Sequence, residues 1–166
     1  MKIYADNAAT TRLSDTALAA MTPCFQEVYG NPSSLHTPGQ QAAEKLAAAR
    51  EIFARNLNAS PRELTFTSGG SEADNQALRS AAALGARRGK RHIISTKFEH
   101  HAVLHTLQAL EREGFEVTLL DIPPGGVVTA EQVREAIRPD TCLVSVMFAN
   151  NEIGTIQPIA AVSYTH

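Results

Sequence analysis

Ser68-Gly69-Gly70-Ser71-Glu72-Ala73-Asp74-Asn75 separates an alternating apolar run, Glu63-Leu64-Thr65-Phe66-Thr67, from a segment of strong helix formers, Gln76-Ala77-Leu78-Arg79-Ser80-Ala81-Ala82-Ala83-Leu84. The stretch predicts a strand over 63–67, a glycine turn, and a helix over 71–88 with Ser71 as its capping residue. Such a turn aims unpaired backbone N–H groups and the positive end of a helix dipole at one point, where a phosphate group fits. Two glycines let the backbone approach closely, and the Ser71 hydroxyl can meet an oxyanion. The same residues also suit an ordinary βα loop. Glu72 and Asp74 favour any helix N-terminus, and their charge opposes a bound anion.

Outward from this turn the pattern becomes regular. A strand is expected over 92–96 and a helix over 101–113, closed by Gly114. A strand over 115–120 follows, then the turn Pro123-Pro124-Gly125-Gly126. Thr129 and Gln132 form a capping box for a short helix ending at Ile137, and a strand over 141–148 is apolar on both faces. Alternating strands and helices predict an α/β fold with a mostly parallel sheet, flanking helices and right-handed crossovers. Upstream, Ser14 caps a helix running to about Val28, and an alanine-rich helix spans about Pro38 to Leu57. Residues 1–60 are thus expected to form a helical arm or part of a smaller domain, and 61–166 the first part of the α/β domain.

Composition narrows the class. Of 166 residues, 43% are hydrophobic and 19% charged, a globular balance, and the net charge is −2. No basic tract is interleaved with aromatics, so neither nucleic acid nor an anionic membrane is an expected partner. No apolar run reaches the roughly 20 residues of a membrane span, and Met1-Lys2-Ile3-Tyr4-Ala5-Asp6 lacks a signal-peptide core. Cys24 and Cys142 lie far apart, so a reduced, cytoplasmic setting is expected.

In an open α/β sheet, ligands sit outside the carboxyl ends of the strands. Three unusual loops fall at that edge: the Gly-Gly-Ser turn, Lys97-Phe98-Glu99-His100-His101, and Asn150-Asn151-Glu152-Ile153-Gly154-Thr155. His100 offers a ring that can stack on an aromatic ligand and a nitrogen able to titrate near neutral pH; it can equally cap the following helix. Asn150 and Asn151 offer amides that orient a ligand without adding charge, or simply make a turn. His101 and His105 share a helix face at metal-ligand spacing, but no adjacent Glu or further ligand accompanies them. Lys97, one of four lysines with Lys2, Lys45 and Lys90, reads as solvated.

At these loops the sequence resembles the cysteine desulfurases, pyridoxal-phosphate enzymes of the class V aminotransferase group. The matching residues are Tyr4-Ala5-Asp6-Asn7-Ala8-Ala9-Thr10-Thr11, Gly30-Asn31-Pro32-Ser33-Ser34-Leu35-His36, Phe66 through Asn75, Glu99-His100 with Ala102-Val103-Leu104, and Asn150 through Gly154. The resemblance implies the fold type I architecture of pyridoxal-phosphate-dependent transferases, here incomplete. It implies pyridoxal 5'-phosphate as cofactor, with Gly70 and Ser71 on its phosphate, although the family commonly has Thr where Ser71 stands. By the same resemblance His100 stacks on the pyridine ring and helps move protons, as the catalytic residue. Asn151 contacts the cofactor and orients the substrate, and the loops 7–11 and 31–36 border the site. No metal is implied.

The implied reaction takes sulfur from L-cysteine, giving L-alanine and an enzyme persulfide, for iron–sulfur cluster assembly or thiolation of tRNA or cofactors. The implied partners are a sulfur-acceptor or scaffold protein and a second copy in a homodimer. The family's Schiff-base lysine, pyridine-pairing acid, carboxylate-binding arginine and persulfide cysteine have no counterparts in residues 1–166. Neither Cys24 nor Cys142 stands in the nucleophile's place, and Ser163-Tyr164-Thr165-His166 abandons a helix opened at Gln157. The chain is therefore expected to be an N-terminal portion, inactive alone, with apolar surface and an open sheet edge that invite aggregation. Two other readings remain open: a selenocysteine lyase or other class V aminotransferase, and a non-catalytic phosphate- or metal-binding module using Gly70, Ser71, His101 and His105.

Overall fold

A computed structural model describes residues 1–163. The element order is α1 (Asp15–Gln26), α2 (Thr37–Asn56), a 3₁₀ turn (Pro61–Glu63), α3 (Gly70–Ala86), β1 (His92–Thr96), α4 (His101–Arg112), β2 (Glu116–Leu120), α5 (Ala130–Ala136), β3 (Thr141–Val144) and α6 (Ile159–Ser163). The chain divides into two compact units, Met1–Phe66 and Thr67–His166. The abandonment of the last helix expected over 163–166 falls, from Tyr164 onward, outside the described residues.

In the first unit Ser14 caps α1 by accepting from the Ala17 N–H at 3.1 Å, and His36 caps α2 by accepting from Gly39 N–H at 3.3 Å. α2 buries only small residues, Gly39, Ala42 and Ala54, and α1 buries none. The strand expected over 63–67 is absent. Ser60 and Glu63 close a capping box around the 3₁₀ turn instead, and the Arg50 guanidinium donates to the Leu64 carbonyl. Phe66 packs edge-on against Phe53 at 5.9 Å, with Arg50 4.7 Å over its ring. Alternation alone makes no strand when α2 side chains take up the backbone and ring that a neighbouring strand would cover.

The second unit is an all-parallel sheet in the order β2-β1-β3. β1 lies in the centre and is buried along its length. Ile93 faces a core of Leu78, Ala82, Val103, Leu107, Leu110 and Phe115 from α3, α4 and the turn before β2. Ile94, on the opposite face, packs with Leu120, Val128, Val133 and Val162. Period-2 alternation along one strand thus feeds two apolar layers, the pattern of a parallel strand covered on both sides. β3 is shorter than the expected 141–148. After Val144 only Ser145 still pairs, donating to the Ile94 carbonyl at 2.9 Å, and β3 is an edge strand whose residues are half-buried.

The direction of α3 matters for the site. Near its end, a Cβ at Gly85 would meet the Cys142 Cβ at 2.4 Å, so only glycine lets α3 lie this close to the start of β3. α3 therefore runs antiparallel to the strands, and its first turn lies at their carboxyl edge. No helix among the described residues is long and apolar enough to cross a membrane.

Candidate functional site

The N-terminus of α3 differs from what its sequence suggests. Gly69, not Ser71, is the capping residue, and it supplies no side-chain cap. Ser71 is the second helical residue, so its expected capping role does not hold. A capping residue needs extended backbone, and the helix has already begun at Gly70. The first intrahelical bond runs from Ala73 N–H to the Gly69 carbonyl at 3.1 Å, which leaves the Gly70, Ser71 and Glu72 N–H groups ahead of the ladder. Gly69, Gly70 and Ser71 are exposed, and a Cβ at either glycine would meet nothing within 4 Å. The Glu72 carboxylate accepts from Ser68 N–H at 2.7 Å and Ser68 Oγ–H at 2.6 Å, and the serine hydroxyl, then the backbone, holds its pKa below the usual carboxylate value.

His100 caps α4. Its Nδ1 accepts from the Ala102 N–H at 3.1 Å, which places the neutral ring's proton on Nε2 and fixes the ring at the helix entrance. The ring is exposed, with the His101 ring edge-on at 6.2 Å. Capping and ligand contact are alternatives in the sequence; the structure uses Nδ1 for the cap while the side chain stays exposed.

Asn150 and Asn151 separate into two environments. Asn150 is 8% exposed and entirely structural: Oδ1 accepts from Glu152 and Ile153 N–H at 2.8 and 3.0 Å, and Nδ2 donates to the Phe98 carbonyl at 3.1 Å. Asn151, next in the chain, is exposed.

Glu99, which the sequence offers only as a member of its loop and of the family resemblance, fastens the two loops together. Only 6% exposed, it accepts from Thr96 Oγ–H at 3.0 Å and from Met147 N–H at 2.7 Å. Burial pushes its pKa up against those two donors, and the nearby Asp74 adds to the rise. The i, i+3 spacing of Thr96 and Glu99 across a strand end was the available signal. The loop bearing His100 and the loop bearing Asn151 are thus tied twice, through Glu99 and through Asn150. α3 closes the third side: Asp74 and Ala77 share a groove of about 290 Å³ with Val103 of α4 and Ser145 and Val146 beyond β3. The segments carrying Gly70, Ser71, His100 and Asn151 therefore gather at one edge of the sheet.

The remaining sequence candidates lie elsewhere in function. Lys97 Nζ pairs with Asp121 at 2.5 Å on the surface. The His101 and His105 rings are 5.6 Å apart and exposed, and no group of three or more potential metal ligands gathers among the described residues. Cys24 is exposed on α1, while Cys142 is half-buried, donates to the His92 carbonyl at 3.3 Å, and has its pKa raised by burial.

The sequence model of the family described as aminotransferase class-V matches residues 3–166. The putative cysteine desulfurase IscS 1 of Bacillus subtilis strain 168 is 49% identical over 158 residues, 95% of this chain and 41% of that protein. Among solved structures, one titled as a NifS-like protein superposes with a TM-score of 0.94 at 43% identity, over 99% of this chain and 45% of its own. Another, SspA in complex with cysteine, gives a TM-score of 0.87 at 39% identity, over 95% of this chain and 45% of its own. The chain spans about 40% of the length of the curated relatives it matches.

Proposed function

The chain belongs to the aminotransferase class-V family, and we propose that it forms the N-terminal part of a pyridoxal-phosphate-dependent cysteine desulfurase. One observation carries the reading: an uncapped, glycine-opened helix N-terminus and an exposed, backbone-fixed histidine lie on loops gathered at one sheet edge. The residues fit the cofactor. Three N–H groups ahead of the α3 ladder, with open space over Gly69 and Gly70, suit a dianionic phosphate. The 49%-identical relative from Bacillus subtilis, a putative cysteine desulfurase, adds support.

Pyridoxal phosphate, when bound, supplies an electron sink for carbanions formed on an amino acid. Within this chain Gly70 and Ser71 would hold its phosphate through backbone N–H groups and the Ser71 hydroxyl. His100 would stack on the pyridine ring, and Nε2, rather than the Nδ1 that caps α4, would exchange a proton with the substrate. Asn151 would orient the substrate, and the neighbouring buried Asn150 keeps that loop in place. The net reaction breaks the C–S bond of L-cysteine, passes the sulfur to an acceptor thiol as persulfide, and returns a proton to carbon to give L-alanine.

The lysine and thiol that carry the covalent steps in such a reaction are assigned to the full-length protein, together with homodimer formation, a cytoplasmic setting, and delivery of sulfur to an iron–sulfur scaffold or another acceptor. The test is made on full-length protein. With pyridoxal phosphate and a reductant it is expected to show a visible cofactor band and to release sulfide and alanine stoichiometrically from L-cysteine. His100→Ala is expected to keep the band and lose about 100-fold or more in kcat. Turnover of selenocysteine alone, or transamination without sulfide, would replace the desulfurase reading by another class V activity.

A further inference from the structure

The apolar packing of α3 on α4 leaves one thing undetermined. Leu78, Ala82, Val103 and Leu107 hold the helices together, but apolar contact is non-directional and does not by itself fix how far one helix slides along the other. A polar tie crosses this interface one turn inside both N-termini. Asn75 Nδ2 donates to the Ser71 carbonyl at 2.8 Å, so its Oδ1 faces α4 and accepts from Thr106 Oγ–H at 2.7 Å. The same hydroxyl lies 2.8 Å from the Ala102 carbonyl and shares its proton between the two acceptors. Thr106 is 3% exposed.

The ends of this tie are informative. One is the backbone of Ser71, in the first turn of α3. The other is Ala102, whose N–H is capped by His100. We propose that Asn75 and Thr106 are positioning residues that hold the phosphate-binding turn of α3 in register with the His100 ring, so that one ligand meets both. The inference rests on the functional reading above and deepens it. Neither residue touches the ligand; each acts through the backbone that it holds.

The experiment uses full-length protein and two ligands. Inorganic phosphate probes the α3 turn alone, whereas pyridoxal phosphate must span α3 and His100. Thr106→Val keeps the side-chain shape and removes the donor, and Asn75→Ala breaks the same tie from the other helix. Both variants are expected to weaken pyridoxal phosphate by about five- to tenfold and to diminish the visible circular-dichroism band of the bound cofactor, with phosphate affinity held within about twofold. Thr106→Ser, which keeps the hydroxyl, is expected to restore the cofactor's affinity and band. Unchanged cofactor binding in both variants would overturn the proposal, as would equal weakening of both ligands without rescue by serine, since that marks a general packing defect. If wild-type protein takes up no pyridoxal phosphate, the functional reading itself fails, and this inference with it.

Discussion

His92 opens the central strand with no exposed surface, and both of its ring nitrogens are engaged. Nδ1 lies 2.7 Å from Thr141 Oγ on one neighbouring strand and Nε2 lies 2.9 Å from Thr118 Oγ on the other. Burial, then the positive charge of Arg138, lowers its pKa below the usual 6.5. The unfolded chain therefore takes up a proton at a higher pH than the folded one. Stability from neutral His92 is full above about pH 6.5 and is lost as pH falls from there through the depressed folded value. His92→Gln is expected to cost about 1–3 kcal/mol at pH near 7.5 and to show a smaller drop in urea midpoint than wild type between there and about pH 5. Parallel pH profiles for the two proteins would show that His92 is not the titrating group. Nothing in the sequence marks this histidine. Its role depends on two threonines 26 and 49 residues away that only the parallel pairing brings to its sides.

At the scale of elements, Glu99 is one of two ties between the loops after β1 and β3. Its carboxylate is the acceptor for Met147 N–H, yet burial raises its pKa, so the ionised form strains against its surroundings as pH rises through the folded value. Glu99→Gln keeps an acceptor oxygen for Met147 and Thr96 and removes the buried charge. It is expected to match or exceed wild-type stability at neutral pH, whereas Glu99→Ala strands a buried N–H and is expected to lose about 1–3 kcal/mol. Chemical denaturation of both variants reads the difference, and a glutamine variant as weak as alanine would mean that the charge itself is needed. The elements themselves were largely legible. Helix caps at Ser14 and Thr129, the stop at Gly114 and the apolar strands at 92–96 and 115–120 are local signals, and the structure follows them. Where a reading depended on distant neighbours it failed: 63–67 alternates but lies under α2 side chains, and 145–148 is apolar but leaves the sheet after Ser145. The candidate loops were legible as a set, because chain order and parallel topology send them to one edge. Thr106 was not legible, and Glu99 and Asn75 stood inside matched motifs with no role attached, because a polar tie cannot be read until its partners are known.

Across the whole molecule, the two units differ in how much core they own. Residues 67–163 bury Ile93 and Ile94 completely, each inside its own apolar cluster on opposite faces of one sheet. In residues 1–66 the buried positions on the helices are Gly39, Ala42 and Ala54, while Leu18 and Phe25 on α1 and Tyr29 just beyond it are 52%, 69% and 77% exposed. Burial of apolar area is the main favourable term in folding, at about 25 cal/mol per Å², and glycine and alanine contribute little of it. The opening free energy of α1 in the 166-residue chain is therefore set by local helix stability. A 12-residue helix is marginal in water even with its Ser14 cap. That of β1 approaches global unfolding, since freeing its amides means separating both layers. Native-state hydrogen exchange is expected to show amides of residues 18–22 and 24–26 exchanging at least about 100-fold faster than those of Ile93 and Ile94, relative to their intrinsic rates. Uniform protection across both units would mean that the exposed face of α1 is covered in solution, by self-association or by the rest of the protein, and repeating the measurement over a dilution series separates those two coverings.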